Sequence, residues 1–177
     1  MMQDLDVQLV TQPAEPVRAV VALGSNLGDS ANILDEAIDA FRQAPNIEVT
    51  AVSPRAKTAP VGGPKQPDFL NQVLILQTTL SPYALLEFAQ QLEQAAARVR
   101  DIRWGPRTLD VDLIDVQYVT SRHPMLTLPH PRAHERAFVL TPWSWADPTA
   151  MLSGQSVAKL AARADDVATV HPVEDIQ

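Results

Sequence analysis

The run Leu109 to Val116 constrains this chain more than any other stretch. Its apolar members, Leu109, Val111, Leu113, Ile114 and Val116, suit a β-strand. Residues two apart on a strand share a face, so Asp110 and Asp112 project side by side while Val111 turns into a core. Two adjacent carboxylates repel unless a cation lies between them, and hard divalent cations prefer oxygen ligands. Just upstream, Arg98, Arg100, Arg103 and Arg107 offer planar donors for phosphate. Taken separately, an Asp-x-Asp pair is a solvated sheet face, and an arginine cluster is an exposed helix end that complements the helix dipole. Neither reading accounts for Trp104-Gly-Pro106 placed between the two groups. A phosphate-and-metal site, of the kind Mg-nucleotide chemistry needs, accounts for all three.

Composition sets the frame for that site. A chain of 177 residues with 46% apolar content is long and apolar enough for one substantial core. The expected organisation is a disordered extension over 1–16, a single catalytic domain over 17–165 and a frayed acidic tail over 166–177. No run approaches the roughly 18 apolar residues of a membrane span, and Met1 to Arg18 lacks a signal-peptide pattern, so the expected location is cytoplasmic. With no cysteines, disulfides and thiolate metal sites are excluded. A net charge of −7 disfavours general nucleic-acid binding. Yet 11 of the 14 basic residues are arginines, and seven of those fall between Arg98 and Arg136. A local cationic pocket in an acidic protein suits a small anion.

Along the chain, Val17 to Leu23 reads as a central strand ending in the turn Gly24-Ser-Asn-Leu-Gly-Asp-Ser30. A helix follows over Ala31 to Gln43, capped by Asp29 or Ser30, with Ile33, Leu34, Ala37, Ile38 and Phe41 on one stripe. A glycine-bearing turn before a helix can bind phosphate, but this one lacks the P-loop spacing, and an ordinary turn is favoured. Ile47 to Val52 alternates as a half-buried strand. The loop Thr58 to Asp68, with three prolines and Gly62-Gly63, is either a plain connection or a mobile lid. Phe69 to Leu80 is a long strand with Asn71 just inside it, able to satisfy local backbone or to read a flat heterocycle. Ser81-Pro82 opens a helix to about Val99, with Leu85, Phe88, Ala89, Leu92, Ala95, Ala96 and Val99 inward. Glu93, read alone, is an exposed helix residue. Gln117 to Leu128 is an extended excursion. His130 and His134 have a helical metal spacing, but Pro131 breaks it and no third soft ligand follows, so zinc is disfavoured. Val139 to Trp145 and Val157 to Ala164 are helical. The order β-α-β, β-α-β followed by an excursion and helices predicts an α+β, ferredoxin-like sandwich with a mainly antiparallel sheet and helices packed on it.

The string Arg103-Trp-Gly-Pro-Arg-Thr-Leu-Asp-Val-Asp-Leu-Ile114 closely resembles the signature of the 6-hydroxymethyl-7,8-dihydropterin pyrophosphokinases of folate biosynthesis. Further blocks match in the family's order: Ala22 to Gly28, Gln66 to Asn71, Arg98-Val-Arg100, and Leu126 to His130 with Arg136 and Phe138. The resemblance implies transfer of the β,γ-diphosphate of ATP to the hydroxymethyl oxygen of the dihydropterin, with release of AMP. It implies that Asp110 and Asp112 hold two Mg2+ ions, with ATP as co-substrate. Arg98 and Arg107 join these aspartates as the catalytic set. Phe69 and Phe138 match the aromatic pair that sandwiches the pterin, Asn71 its edge reader, and Thr58, Pro60 and Val61 the remaining wall, with Asp110 at its metal side. Glu93, Arg100, Trp104, Arg107, Leu113, Thr127, His130 and Arg136 match nucleotide positions. The implied partners are these two small molecules, with no nucleic acid or membrane, acting on a monomer.

The sequence departs from the family pattern at Pro131, Met125 and Phe69, where some relatives carry tyrosine, arginine and tyrosine. A phosphoryl transferase releasing ADP is the alternative within enzymes, and a catalytically silent pterin- or nucleotide-binding module the alternative outside them. Intact Asp110, Asp112, Arg107 and His130 argue against the silent module. An RNA-binding ferredoxin-like domain is disfavoured by the net charge and the lack of an aromatic-basic sheet motif.

Overall fold

The computed structural model describes residues 6–60, 66–99 and 109–173. A six-stranded antiparallel sheet forms its middle layer. Strand β1 (Val17–Ser25) pairs on one side with β4 (Phe69–Thr78) and on the other with β5 (Asp110–Val116). Strands β2 (Ile47–Val52) and β3 (Ala56–Thr58) both pair with β4. The resulting β5-β1-β4-β2/β3 arrangement is the expected ferredoxin-like α+β order. Residues 121–123 and 126–128, β6 and β7, form the extended excursion as a separate two-stranded ribbon.

Helix α2 (Ser30–Gln43) is capped by Asp29, whose side chain accepts from the Asn32 N–H. Helix α3 (Pro82–Val99) opens with Ser81 Oγ accepting from the Ala84 N–H at 3.1 Å. Both pack on one sheet face through Leu34, Phe41, Leu85 and Ala89, against Val21, Leu23, Leu74, Leu76, Val111 and Leu113. The opposite face is covered by α4 (Ala137–Ala146) and α5 (Val157–Arg163) through Leu140, Trp143, Val157 and Ala161, against Val20, Val73, Ile75 and Ile114. A register shift between Val20 and Val21 lets Ile114 reach this second core beside Asp115.

The described residues toward both ends, 6–16 and 166–173, are tied down more firmly than expected. Residues 6–16 were expected to be loose, yet α1 (Val7–Val10), capped by Asp6, sinks Leu9 completely into the first core. Residues 166–173, expected to fray, are likewise folded onto the domain. A 3-10 turn (Val167–Thr169) leads into β10 (Val170–Pro172), which adds a sheet edge by pairing with β3. Between α4 and α5, residues 151–152 and 155–156 form the short hairpin β8–β9. Among the described residues, no helix is long and apolar enough to cross a membrane.

Candidate active site

The face covered by α4 and α5 is left open where β1 ends. The side chains there are small: Ala22 and Gly24 lie along β1 and line a cavity of about 510 Å³. In the sheet register Gly24 faces Asn71 on β4 and Asp110 on β5, while Ala22 faces Val73 and Asp112. Asn71 and Asp110 therefore stand two strand spacings apart, roughly 9–10 Å between backbones. The same cavity is lined by Thr58, Pro60, Phe69, Phe138, Arg132 and Arg136.

Asn71 is held by its neighbours. Its Nδ2 donates to Thr58 Oγ1 at 2.7 Å, and both residues are buried. With the amide nitrogen committed to Thr58, its carbonyl lies toward Gly24, where an added Cβ would come within 2.9 Å of Oδ1. Phe69 stands two residues before Asn71 on the same face of β4, and Phe138 sits in the first turn of α4. The Arg136 guanidinium lies over the Phe138 ring, 5.5 Å from its centroid.

Asp110 and Asp112 alternate with buried Val111 as the sequence predicts, so both half-buried carboxylates share the cavity face. Glu93 Oε1 on α3 accepts the Val111 N–H at 2.8 Å and so ties the strand between them to the helix. Among the described residues, no group of three or more His, Cys, Asp or Glu side chains is arranged to hold a metal. Two hard carboxylates opening into a cavity suit magnesium, which completes its shell with phosphate oxygens and water.

His130 borders this end of the site. Its N–H donates to the Ile114 carbonyl at 2.7 Å, and its Nδ1 accepts from the Arg132 N–H at 3.2 Å. The neutral ring therefore carries its proton on Nε2. Burial pushes the imidazole below its usual pKa; Asp112 opposes that, and Arg136 and Arg132 add to it.

Several expected site residues are not brought to the cavity. Leu113 is buried in the first core, which leaves only its main chain to meet a nucleotide. Thr127 lies on the ribbon, its hydroxyl donating to the His123 carbonyl at 3.0 Å. Val61, Arg100, Trp104, Arg107 and the side chain of Arg98 lie outside the described residues. Four charged residues that line the cavity were not singled out from sequence: Arg132, Glu135, Asp165 and Asp166. The first two sit inside the His130–Phe138 stretch, where their proximity to matched residues was the available signal. Asp165 and Asp166 follow the last helix and carry none.

Residues 20–148 match the sequence profile of the 7,8-dihydro-6-hydroxymethylpterin-pyrophosphokinase (HPPK) family. The chain is similar to the 2-amino-4-hydroxy-6-hydroxymethyldihydropteridine pyrophosphokinase of Mycobacterium tuberculosis (strain ATCC 25618 / H37Rv), 47% identical over 146 residues covering 77% of this chain and 76% of that one. The enzyme of the same name from Bacillus subtilis is 43% identical over 124 residues, covering 70% of this chain and 74% of that one. The one from Methylorubrum extorquens is 38% identical over 148 residues, covering 84% and 94%. In backbone, the chain resembles wild-type Plasmodium falciparum HPPK-DHPS crystallised with SDX-DHP, with a TM-score of 0.69 at 11% identity. That likeness covers 88% of this chain but spans under half of the larger one, 46%. With most of β1, both carboxylates and both cavity-lining aromatics inside the matched region, the chain belongs to the 7,8-dihydro-6-hydroxymethylpterin-pyrophosphokinase family.

Proposed function

We propose that the protein transfers the β,γ-diphosphate of ATP to the hydroxymethyl group of 6-hydroxymethyl-7,8-dihydropterin, giving the pterin diphosphate and AMP, in folate biosynthesis. The observation that carries this is the row Asn71–Gly24–Asp110 across the sheet. Its two outer members, Asn71 as the reader of the heterocycle edge and Asp110 as a metal carboxylate in this reading, line one cavity together with Phe69 and Phe138. A flat bicyclic ring with its edge on Asn71 extends its one-carbon arm over Gly24 toward Asp110 and Asp112. The relatives' names and the matched signature support the same substrates.

In this reading Phe69 and Phe138 stack on the pterin, Thr58 fixes the rotamer of Asn71, and Pro60 and Val61 complete the wall. Asp110 and Asp112 would hold two magnesium ions, which would offset the negative charge of the phosphates against the attacking oxygen. The hydroxymethyl oxygen attacks the β-phosphorus, the bond from that phosphorus to the α-bridging oxygen breaks, AMP leaves, and the hydroxyl proton is released. Arg136, His130 and Glu93 act on the nucleotide side, with Glu93 holding Val111 so that the carboxylate pair keeps its spacing. Arg98, Arg100, Trp104 and Arg107 are assigned to the triphosphate by sequence resemblance alone, and Leu113 and Thr127 to the adenine end. The enzyme works as a cytoplasmic monomer.

Product identity tests the reading. The protein is incubated with ATP, magnesium and the dihydropterin, and AMP, ADP and pterin products are resolved. Pterin-dependent AMP with a pterin diphosphate is expected. ADP overturns the chemistry while sparing the site, and binding without turnover overturns the enzyme reading.

A further inference from the structure

Helix α4 begins without a local cap. Arg136, at its N-cap position, makes no side-chain capping bond, and its guanidinium lies over the Phe138 ring instead. The orphan donors of the first turn are satisfied from 29 residues further along the chain: the Ala137 N–H donates to Asp166 Oδ1 at 2.8 Å. The Phe138 N–H points to Asp166 Oδ2 at 3.4 Å. A carboxylate here satisfies unpaired N–H groups and complements the positive end of the helix dipole.

Asp166 is itself held firmly. Its carbonyl accepts from the Thr169 N–H at 2.9 Å and from the Thr169 hydroxyl at 2.7 Å. Immediately afterwards β10 joins β3, with Val170 opposite Thr58. Ala164 and Val170 are buried with Ala56 and Ala137 in one small cluster. The segment from Asp166 to Val170 thus bridges two walls of the cavity: it caps the turn bearing Phe138 and pairs with the strand bearing Thr58.

We infer that Asp166 is a positioning residue for pterin binding, which fixes the Phe138 ring relative to Thr58 and Asn71 by capping the first turn of α4. The inference rests on Phe138 being the pterin's stacking partner. Losing a cap costs about 1 kcal/mol, which is about fivefold in binding. The pterin side feels it most: Asp110 and Asp112 are carried by β5, and of the described residues assigned to the nucleotide only Arg136 adjoins the capped turn, where its guanidinium follows the Phe138 ring.

The test compares full-length Asp166→Ala, Asp166→Asn and Phe138→Ala with the unaltered protein, measuring KM for dihydropterin and for ATP, kcat, and thermal unfolding. Asp166→Ala is expected to raise the pterin KM about fivefold, with ATP KM and kcat within about twofold of the starting values. Asp166→Asn, which keeps one acceptor, is expected to raise it about two- to threefold. Combined with Phe138→Ala, Asp166→Ala is expected to add nothing further, since the ring it positions is gone. An unchanged pterin KM in Asp166→Ala, or equal weakening toward both substrates, overturns the inference. If Asp166→Ala does not fold, Asp166→Asn decides alone, and an unchanged pterin KM in it is equally fatal. Should Phe138→Ala itself leave the pterin KM unchanged, the stacking role fails and takes the inference with it. If Phe138→Ala weakens pterin binding and the Asp166 variants do not, only the positioning role fails.

Discussion

Gly24→Ala should uncouple pterin binding from nucleotide binding. The new Cβ would lie 2.9 Å from Asn71 Oδ1, with the next nearest atoms at 4.0 Å. Asn71 therefore has to move, and its freedom to do so is small. It is 8% exposed, and its amide nitrogen is bound to Thr58, itself 4% exposed. Turning the carboxamide some 30° off its rotamer costs about 0.5–1.5 kcal/mol. Weakening its buried hydrogen bond costs about 0.5–1.5 kcal/mol more. Together these amount to about 1–3 kcal/mol, or roughly 5- to 150-fold if all of it falls on pterin affinity. Global stability should change less, because replacing glycine in a strand restricts the unfolded chain and offsets part of the strain. No atom of Asp110 lies among the three nearest to the new Cβ, so the nucleotide side should be spared. Fluorescence titration of pterin in the presence of a non-hydrolysable ATP analogue, beside a titration of the analogue alone, separates the two. A pterin affinity within twofold of the starting value would refute the claim that a fixed Asn71 carboxamide reads the ring.

Other perturbations probe the remaining parts of the site. Asp112→Ala removes a half-buried carboxylate on the cavity face and should lower turnover by about 10²- to 10³-fold with little change in melting temperature, a loss on the scale of removing a preorganised electrostatic group. Near-normal rates at saturating magnesium would contradict its assignment to the metal. Glu93→Ala removes the acceptor of the Val111 N–H and should cost about 1.5–3 kcal/mol in denaturant unfolding, with Glu93→Gln recovering most of it. Equal losses in the two variants would show that this bond is not what Glu93 contributes. Burial raises the Asp115 pKa against the opposing charge of Arg18, 3.4 Å away. The folded state thus holds that proton more tightly than the unfolded chain, and the contribution is lost as pH rises from the ordinary carboxylate range through the raised value. Asp115→Asn cannot titrate, so its stability relative to the unaltered protein should improve between pH 4 and pH 7. A difference that moves the other way in unfolding titrations at those two pH values would rule this out.

The parts of this fold that could be read in the sequence are those whose signal is local. Alternation over Leu109–Val116 placed both aspartates on one face, and the stripes of α2 and α3 named the residues that cover the first core. Ser81 and Asp29 announced their helices through capping chemistry. What was hidden depends on partners distant in sequence. Strand β3 is three residues long with Lys57 exposed at its centre, too short for periodicity, and exists because β4 and β10 flank it. Residues 165–172 carry one buried apolar side chain, Val170, and are polar enough to read as a tail until β3 and the start of α4 supply their hydrogen bonds. Leu9 likewise belongs to the core only because α1 lies against it. The role of Glu93 toward Val111 could not be read either, since a single exposed-looking helical acid gives no hint of which backbone N–H it will meet.

The cavity owes its shape to what β1 lacks. Paired on both sides, β1 presents every second residue to the face where α4 packs. Val20 is large enough to reach the α4 core and closes the space beneath it. The next two positions on that face, Ala22 and Gly24, withdraw side-chain volume step by step just where Asp112 and Asp110 stand opposite. Successive rows on a strand face are about 6.8 Å apart. The two aspartates therefore lie along the same line on which β1 narrows, and Asn71 closes it on the far side. A larger residue at either position would fill the space from between β4 and β5, neither of which can retreat without breaking its ladder to β1. Functional geometry is thus written into the smallest side chains of a strand held on both sides. The charged and aromatic residues around them act on a ligand only because that strand leaves it room.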